Sequence, residues 1–159
     1  MFGNSKKKAA ASRVLASFAP KLPHVDALVP PGMTARQTGK GVLLAGASPD
    51  ALSSGVPGGY SIQVPNAIEA AASGKRVRVT VTACSRGKTP TAFAVAYSTN
   101  EVGNSGWNEF TASDKRTDFA FEYDVSPMVY GNGDFVSVRA VAALELRALK
   151  VEVIERLKV

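Results

Sequence analysis

Arg76-Val77-Arg78-Val79-Thr80-Val81-Thr82-Ala83 is the stretch that decides the fold. Side chains along a β-strand alternate between two faces. Val77, Val79, Val81 and Ala83 therefore share one face, and Arg76, Arg78, Thr80 and Thr82 share the other. Such a strand lies on a core with its apolar side and meets water with its charged and hydroxyl side.

Working outward, residues 85–90 turn the chain, and a second strand returns with Phe93, Val95 and Tyr97 on one side. A polar loop leads to a short strand over residues 107–111. After the Asp114-Lys115-Arg116 turn, residues 118–124 alternate again, with Phe119, Phe121 and Tyr123 facing together. Pro127 and the Asn-Gly and Gly-Asp pairs at 132–134 break the chain. Residues 135–140 form a strand, and residues 149–153 form the last, extending toward Leu157. Residues 140–148 fit either a helical turn or a continuous bent strand. Upstream, residues 61–64 form a short strand closed by Pro65, and Asn66 caps a brief helix over 67–72 that Ser73-Gly74 ends. Seven or eight short strands with frequent turn signals predict an all-β, antiparallel β-sandwich of jelly-roll type over residues 60–159.

Residues 1–59 read differently. They carry seven basic groups against two acidic ones, net +5, whereas the other 100 residues carry twelve against eleven, net +1. The chain's formal net charge of +6 is therefore concentrated in this segment. Six of the nine prolines also lie here. Residues 6–18 can form a short helix capped by Ser5, which three lysines in its first turn oppose. Beyond it, Pro and Gly favour an extended path. Scattered apolar side chains in a segment with no core of its own point to docking on another surface. The predicted organisation is a basic extended Pro/Gly-rich arm, residues 1–59, before the sandwich. The docking residues of the arm are Lys6, Lys7, Lys8, Arg13, Phe18, Leu22, Val42, Leu43 and Leu44.

Composition excludes several classes. With 45% hydrophobic and 20% charged residues, the chain has enough apolar content for a real core. No run of about 18 apolar residues is present, so no membrane partner is expected. Residues 9–19 lack a clean apolar signal core. Cys84 is the sole cysteine, so no internal disulfide is expected, and its phase from Val77 sets it on the wet face. His24, the sole histidine, lies in the arm and removes His-based catalytic triads. Glu101, Glu109, Glu122, Asp124 and Asp134 show no spacing that singles out a catalytic pair, and no phosphate-binding GxxxxGK[ST] loop exists. No enzyme, cofactor or metal site is expected. Asn132 with Asp134, or Asn104 with Glu101, offers side-chain oxygens to calcium, but no EF-hand-like spacing is present. Nucleic-acid contact is reserved for the Lys6–Lys8 cluster.

The loop from Tyr97 to Trp107, Tyr-Ser-Thr-Asn-Glu-Val-Gly-Asn-Ser-Gly-Trp, has the composition of a ligand-contacting loop and equally of one that hydrogen-bonds itself. Gly103 and Gly106 permit the positive φ that such a turn needs.

Two resemblances follow from these stretches. Ser61-Ile62-Gln63-Val64-Pro65, the strand over 76–83, the loop over 97–107 and the closing strand over 149–153 resemble jelly-roll, galactose-binding-like modules of carbohydrate-active proteins. That resemblance implies a glycan partner stacked on Tyr97, Trp107 or Tyr130, with Asn104 as a polar contact. The layout of a basic arm before a jelly-roll resembles structural proteins of virus and phage particles. It implies a virion accessory or decoration protein, a homo-oligomer with protein partners in a large assembly. The first expectation is this non-enzymatic particle component, located in the virion; the alternative is a carbohydrate-binding module. Outside a particle, the expected location is the cytoplasm.

Overall fold

The computed structural model describes residues 12–46, 58–129 and 133–156. The strands are β1 (Ser12–Phe18), β2 (Thr34–Gln37), β3 (Val42–Ala45), β4 (Tyr60–Gln63), β5 (Arg76–Ser85), β6 (Thr91–Ser98), β7 (Asn108–Ala112), β8 (Thr117–Asp124), β9 (Phe135–Ala140) and β10 (Leu144–Arg156). One helix, α1 (Asn66–Ala72), lies between β4 and β5. The larger antiparallel sheet runs β2-β3-β10-β5-β8 with β1 also on β10, and the smaller runs β4-β9-β6-β7.

The alternation in β5 sets the core as expected. Val77, Val79 and Val81 lie in register with Tyr123, Phe121 and Phe119 of β8, and with Val153, Val151 and Leu149 of β10. These rows face Tyr60, Ile62, Phe93, Val95, Tyr97, Val136 and Val138 of the smaller sheet, all buried. On the outer face the Arg76 guanidinium meets Asp124 at 2.6 Å, and Arg78 meets Glu122 at 3.2 Å. Thr82 is buried where wetness was expected, because its hydroxyl donates to Asp118 at 2.6 Å.

The helix carries one correction. Asn66 is its first residue rather than its cap; Pro65 precedes it in extended backbone, and no side chain caps the end. Residues 140–148 are neither a helical turn nor one continuous strand: β9 ends at Ala140, residues 141–143 connect, and β10 begins at Leu144 with a register shift between Leu146 and Ala148.

The N-terminal segment overturns the arm expectation. From Ser12 onward the expected helix is a strand, with Ser12 opposite Arg156 and Phe18 opposite Val151. A short helix with lysines at its start is marginal alone, whereas an open strand edge offers a full set of backbone partners. β3 covers only Leu144, Glu145 and Leu146 on that edge of β10, and β1 covers its far part. Val42 and Leu44 are wholly buried. Phe18 and Leu22 pack against the core, Leu43 is half-buried, and Arg13 pairs with Glu155 at 2.6 Å. These residues take intramolecular positions, and the core is shared across the expected 59/60 boundary. Lys6, Lys7 and Lys8 lie outside the described residues.

Cys84 is also corrected. It does point away from the core, but it is buried rather than wet, with Sγ 3.7 Å from Glu145 Oε1.

Leu44→Ala should therefore cost about 2–5 kcal/mol in denaturant unfolding, as truncation of a filled core position does. Val79→Asp should abolish the cooperative transition by burying an unpaired carboxylate. A Leu44→Ala protein as stable as the parent would contradict the placement of β3 in the core.

Candidate functional site

The polar loop between β6 and β7 satisfies its own backbone. Thr99 N–H donates to the Gly103 carbonyl at 2.8 Å, and the Thr99 hydroxyl donates to the same oxygen at 2.7 Å. Ser105 N–H donates to the Tyr97 carbonyl at 2.8 Å, while Tyr97 N–H donates to Ser105 Oγ at 2.9 Å. Gly103 and Gly106 hold φ of +105° and +71°, a region that favours glycine. Asn104 is exposed, and its Oδ1 accepts from Gly106 N–H at 2.7 Å, so its side chain shapes the turn.

This pinned loop delivers Trp107 to the start of β7. The indole is half-buried, neither wholly core nor wholly exposed. The Arg139 guanidinium, from β9, lies 4.2 Å from the ring centroid. A cation over an aromatic face gains from the ring quadrupole and fixes both groups. Arg139 and Glu109 are both in register with Ala94, so the three form one row on the outer face of the smaller sheet. Asn108 Nδ2 donates to the Val95 and Gly106 carbonyls, each at 3.3 Å, which anchors the strand behind the indole.

The other expected ligand residues fare differently. Tyr97 is wholly buried, and its hydroxyl donates to Asp134 Oδ2 at 2.5 Å, so it offers no surface for stacking. Tyr130 lies outside the described residues. Of the expected residues that the structure describes, Trp107 and Asn104 are brought to one accessible end of the loop. Arg139 and Glu109 complete that surface and were missed, because pairing β6 with both β7 and β9 is a long-range property.

Beneath the loop sits a buried acidic pair. Glu69 Oε1, from α1, accepts from Gly133 N–H at 3.0 Å and Asp134 N–H at 2.8 Å. Among the described residues Asp134 Oδ1 has no hydrogen-bond partner. Burial, then the charges of Glu69 and Glu101, push the Asp134 carboxyl up to about 6, although the Tyr97 hydrogen bond opposes the shift. Burial pushes the Tyr97 phenol up as well. Neither carboxylate is open to a substrate, and no set of three metal-ligating side chains occurs among the described residues.

No protein-family model and no curated protein matches the sequence. Solved structures do match. The CBM22-1 xylan-binding domain of Paenibacillus barcinonensis Xyn10C aligns with a TM-score of 0.58 at 13% identity, over 92% of this chain and 97% of that one. The tandem CBM22-1–CBM22-2 domain of the same protein aligns at 0.59 and 13% identity, over 91% of this chain and 46% of that one. A Podospora anserina GH26-CBM35 β-(1,4)-mannanase aligns at 0.56 and 13% identity, over 90% of this chain and 28% of that one. At this identity the likeness is one of fold, a jelly-roll β-sandwich of the kind found in carbohydrate-binding modules.

The buried pair yields a pH prediction. A native carboxyl raised toward 6 keeps its proton where the unfolded chain has lost it, so the native state binds more protons from about pH 4 to 6. Stability contributed by this group is full below that window and falls as pH rises through it, by at most about 1.4 kcal/mol per pH unit. Asp134→Asn should remove this slope, so that its melting temperature gains on the parent's between pH 4 and 6 and runs parallel above. A difference independent of pH from 4 to 7 would contradict the raised carboxyl.

Proposed function

We propose that the protein is a non-catalytic carbohydrate-binding β-sandwich that meets its glycan at Trp107. The observation that carries this reading is the sole indole of the chain, half-buried at the end of a rigid loop and held by Arg139 at 4.2 Å. An aromatic ring fixed in orientation offers a flat apolar surface at little entropic cost on binding, which suits the apolar face of a sugar ring. Asn104, Arg139 and Glu109 stand around it with groups able to donate to or accept from hydroxyls. The likeness in fold to a xylan-binding domain supports the same reading.

A non-catalytic role is supported by where the chemistry sits. His24 Nδ1 accepts from Asp26 N–H at 3.2 Å in a surface turn, and the buried carboxylates Glu69 and Asp134 are engaged with backbone amides and Tyr97. The particle-component reading rested on a free arm, and β1, β2 and β3 instead complete this chain's own larger sheet. No helix among the described residues is long and apolar enough to cross a membrane.

Affinity electrophoresis of the full chain through gels containing xylan, β-mannan or β-glucan tests the proposal. At least one neutral polysaccharide should retard the protein, and Trp107→Ala should cancel the retardation while lowering the melting temperature by only a few degrees. A Trp107→Ala protein retarded as strongly as the parent would remove Trp107 from the site. Free migration of the parent in every gel would sink the glycan reading.

A further inference from the structure

One end of the larger sheet's outer face holds a groove of about 720 Å³ with a different character. Its floor is a row across four strands: Arg36 lies opposite Leu43, Leu43 opposite Glu145, and Glu145 opposite Cys84. One wall is the β2–β3 turn, where Thr38 Oγ1 accepts from Gly41 N–H at 2.9 Å and Lys40 N–H at 3.2 Å. The opposite wall is the β5–β6 turn, held by the Ser85 hydroxyl donating to the Gly87 carbonyl at 2.8 Å. A Cβ on Gly41 would stand 2.2 Å from the Leu146 carbonyl, so this turn is seated directly on β10. Both walls are therefore fixed by backbone contacts.

The groove lining is strongly basic. Arg36, Lys40, Arg86, Lys88 and Arg147 stand against Glu145 and Asp114, five cations against two anions, net +3. That is half of the chain's formal net charge gathered in one concavity. Glu145 is buried and is met by Arg147 Nε at 2.9 Å and Arg86 at 3.4 Å. Burial alone would raise its carboxyl, but hydrogen bonds from Thr38 and Arg147 hold it below the usual range. It stays ionised and fixes Arg86 and Arg147 in place. Arg36 on the floor and Lys40 and Lys88 on the two walls are exposed, and none of the three has a carboxylate partner among the described residues.

We propose that this groove binds an acidic polysaccharide, through carboxylate or sulfate groups that recur along the chain and meet cations on both walls. The size lies within the range of ligand sites, about 300–1,000 Å³. Guanidinium forks match the planar geometry of carboxylates and sulfates. Among the described residues no aromatic side chain lines the groove, so these residues offer neither a neutral sugar nor a nucleic-acid base a stacking surface there. The site goes beyond the Trp107 surface and is physically separate from it. Asp114 of the groove follows the far end of β7 from Trp107, and five strand residues span about 17 Å.

The test uses the full chain with polygalacturonate, dextran sulfate, neutral dextran and a 20-mer oligonucleotide as probes, by titration calorimetry at physiological salt. Lys40→Glu/Lys88→Glu reverses one cation on each wall, and Lys21→Glu/Lys150→Glu makes the same change of net charge elsewhere. Polygalacturonate or dextran sulfate should bind the parent while neutral dextran does not, and whichever binds identifies carboxylate or sulfate as the recognised group. The wall variant should lose about tenfold or more in affinity, the control variant about twofold or less, with both melting as the parent does. Trp107→Ala should bind the acidic probe unchanged, which separates this site from the neutral-glycan site. Equal weakening by the two double variants would show nonspecific attraction and overturn the proposal. Preference for the oligonucleotide over both polyanionic sugars, or binding to none of the probes, would overturn it too.

Discussion

β10 is a long strand whose two edges must both be satisfied, and the rest of the molecule follows from how this is done. β5 takes one edge from Leu144 to Ile154. The other edge is divided, with β3 over the first residues and β1 over the last. An unpaired stretch of backbone there would be costly when buried and prone to association when exposed. The N-terminal segment pairs most of that edge within the same chain, leaving only residues 147–150 between β3 and β1. In doing so it adds Val42 and Leu44 to the core and brings the β2–β3 turn beside Glu145.

Charge is distributed with the same economy. On the outer face of the larger sheet, Arg76, Arg78, Glu122, Asp124 and Glu152 pair with one another near the far end of β5. Such exposed pairs contribute little stability each. Their consequence is that this part of the face presents little net charge. At the other end the balance fails, and cations outnumber anions in the groove. The smaller sheet carries the other distinctive surface, where Trp107 and Arg139 sit together. One sandwich thus presents an aromatic surface and a cationic one, separated by about the length of a strand.

The main sheets were legible from local pattern because β5, β6, β8 and β9 alternate over six to ten residues. The Asn104-Ser105-Gly106 turn and its positive φ were legible for the same local reason. β2 and β3 were not, since four-residue strands between Gly and Pro leave too few alternations to recognise. β1 was read as helix because Val14, Leu15 and Phe18 fit a helical face when β10 is not in view. Tyr97 as a ligand platform and Cys84 as a wet thiol failed from different causes. Tyr97 shares the inward face of β6 with Phe93 and Val95, so the core and Asp134 take up its ring and hydroxyl. Cys84 is on the outward face, which Glu145 and its two arginines, distant in sequence, close over. The groove draws residues from four separate stretches of chain and had no contiguous motif to betray it.

The central claim is that β1, β2 and β3 belong to the same cooperative unit as β5 and β10, so that the groove's walls are permanent. Residue-resolved amide hydrogen exchange on the intact chain measures this directly. Hydrogen-bonded amides of β1 and β3 should open only with the global transition, sharing one free energy with those of β5 and β10. Exchange in β1 and β3 that is orders of magnitude faster than in β5, with β5 still protected, would mean a detachable N-terminal arm and contradict the account.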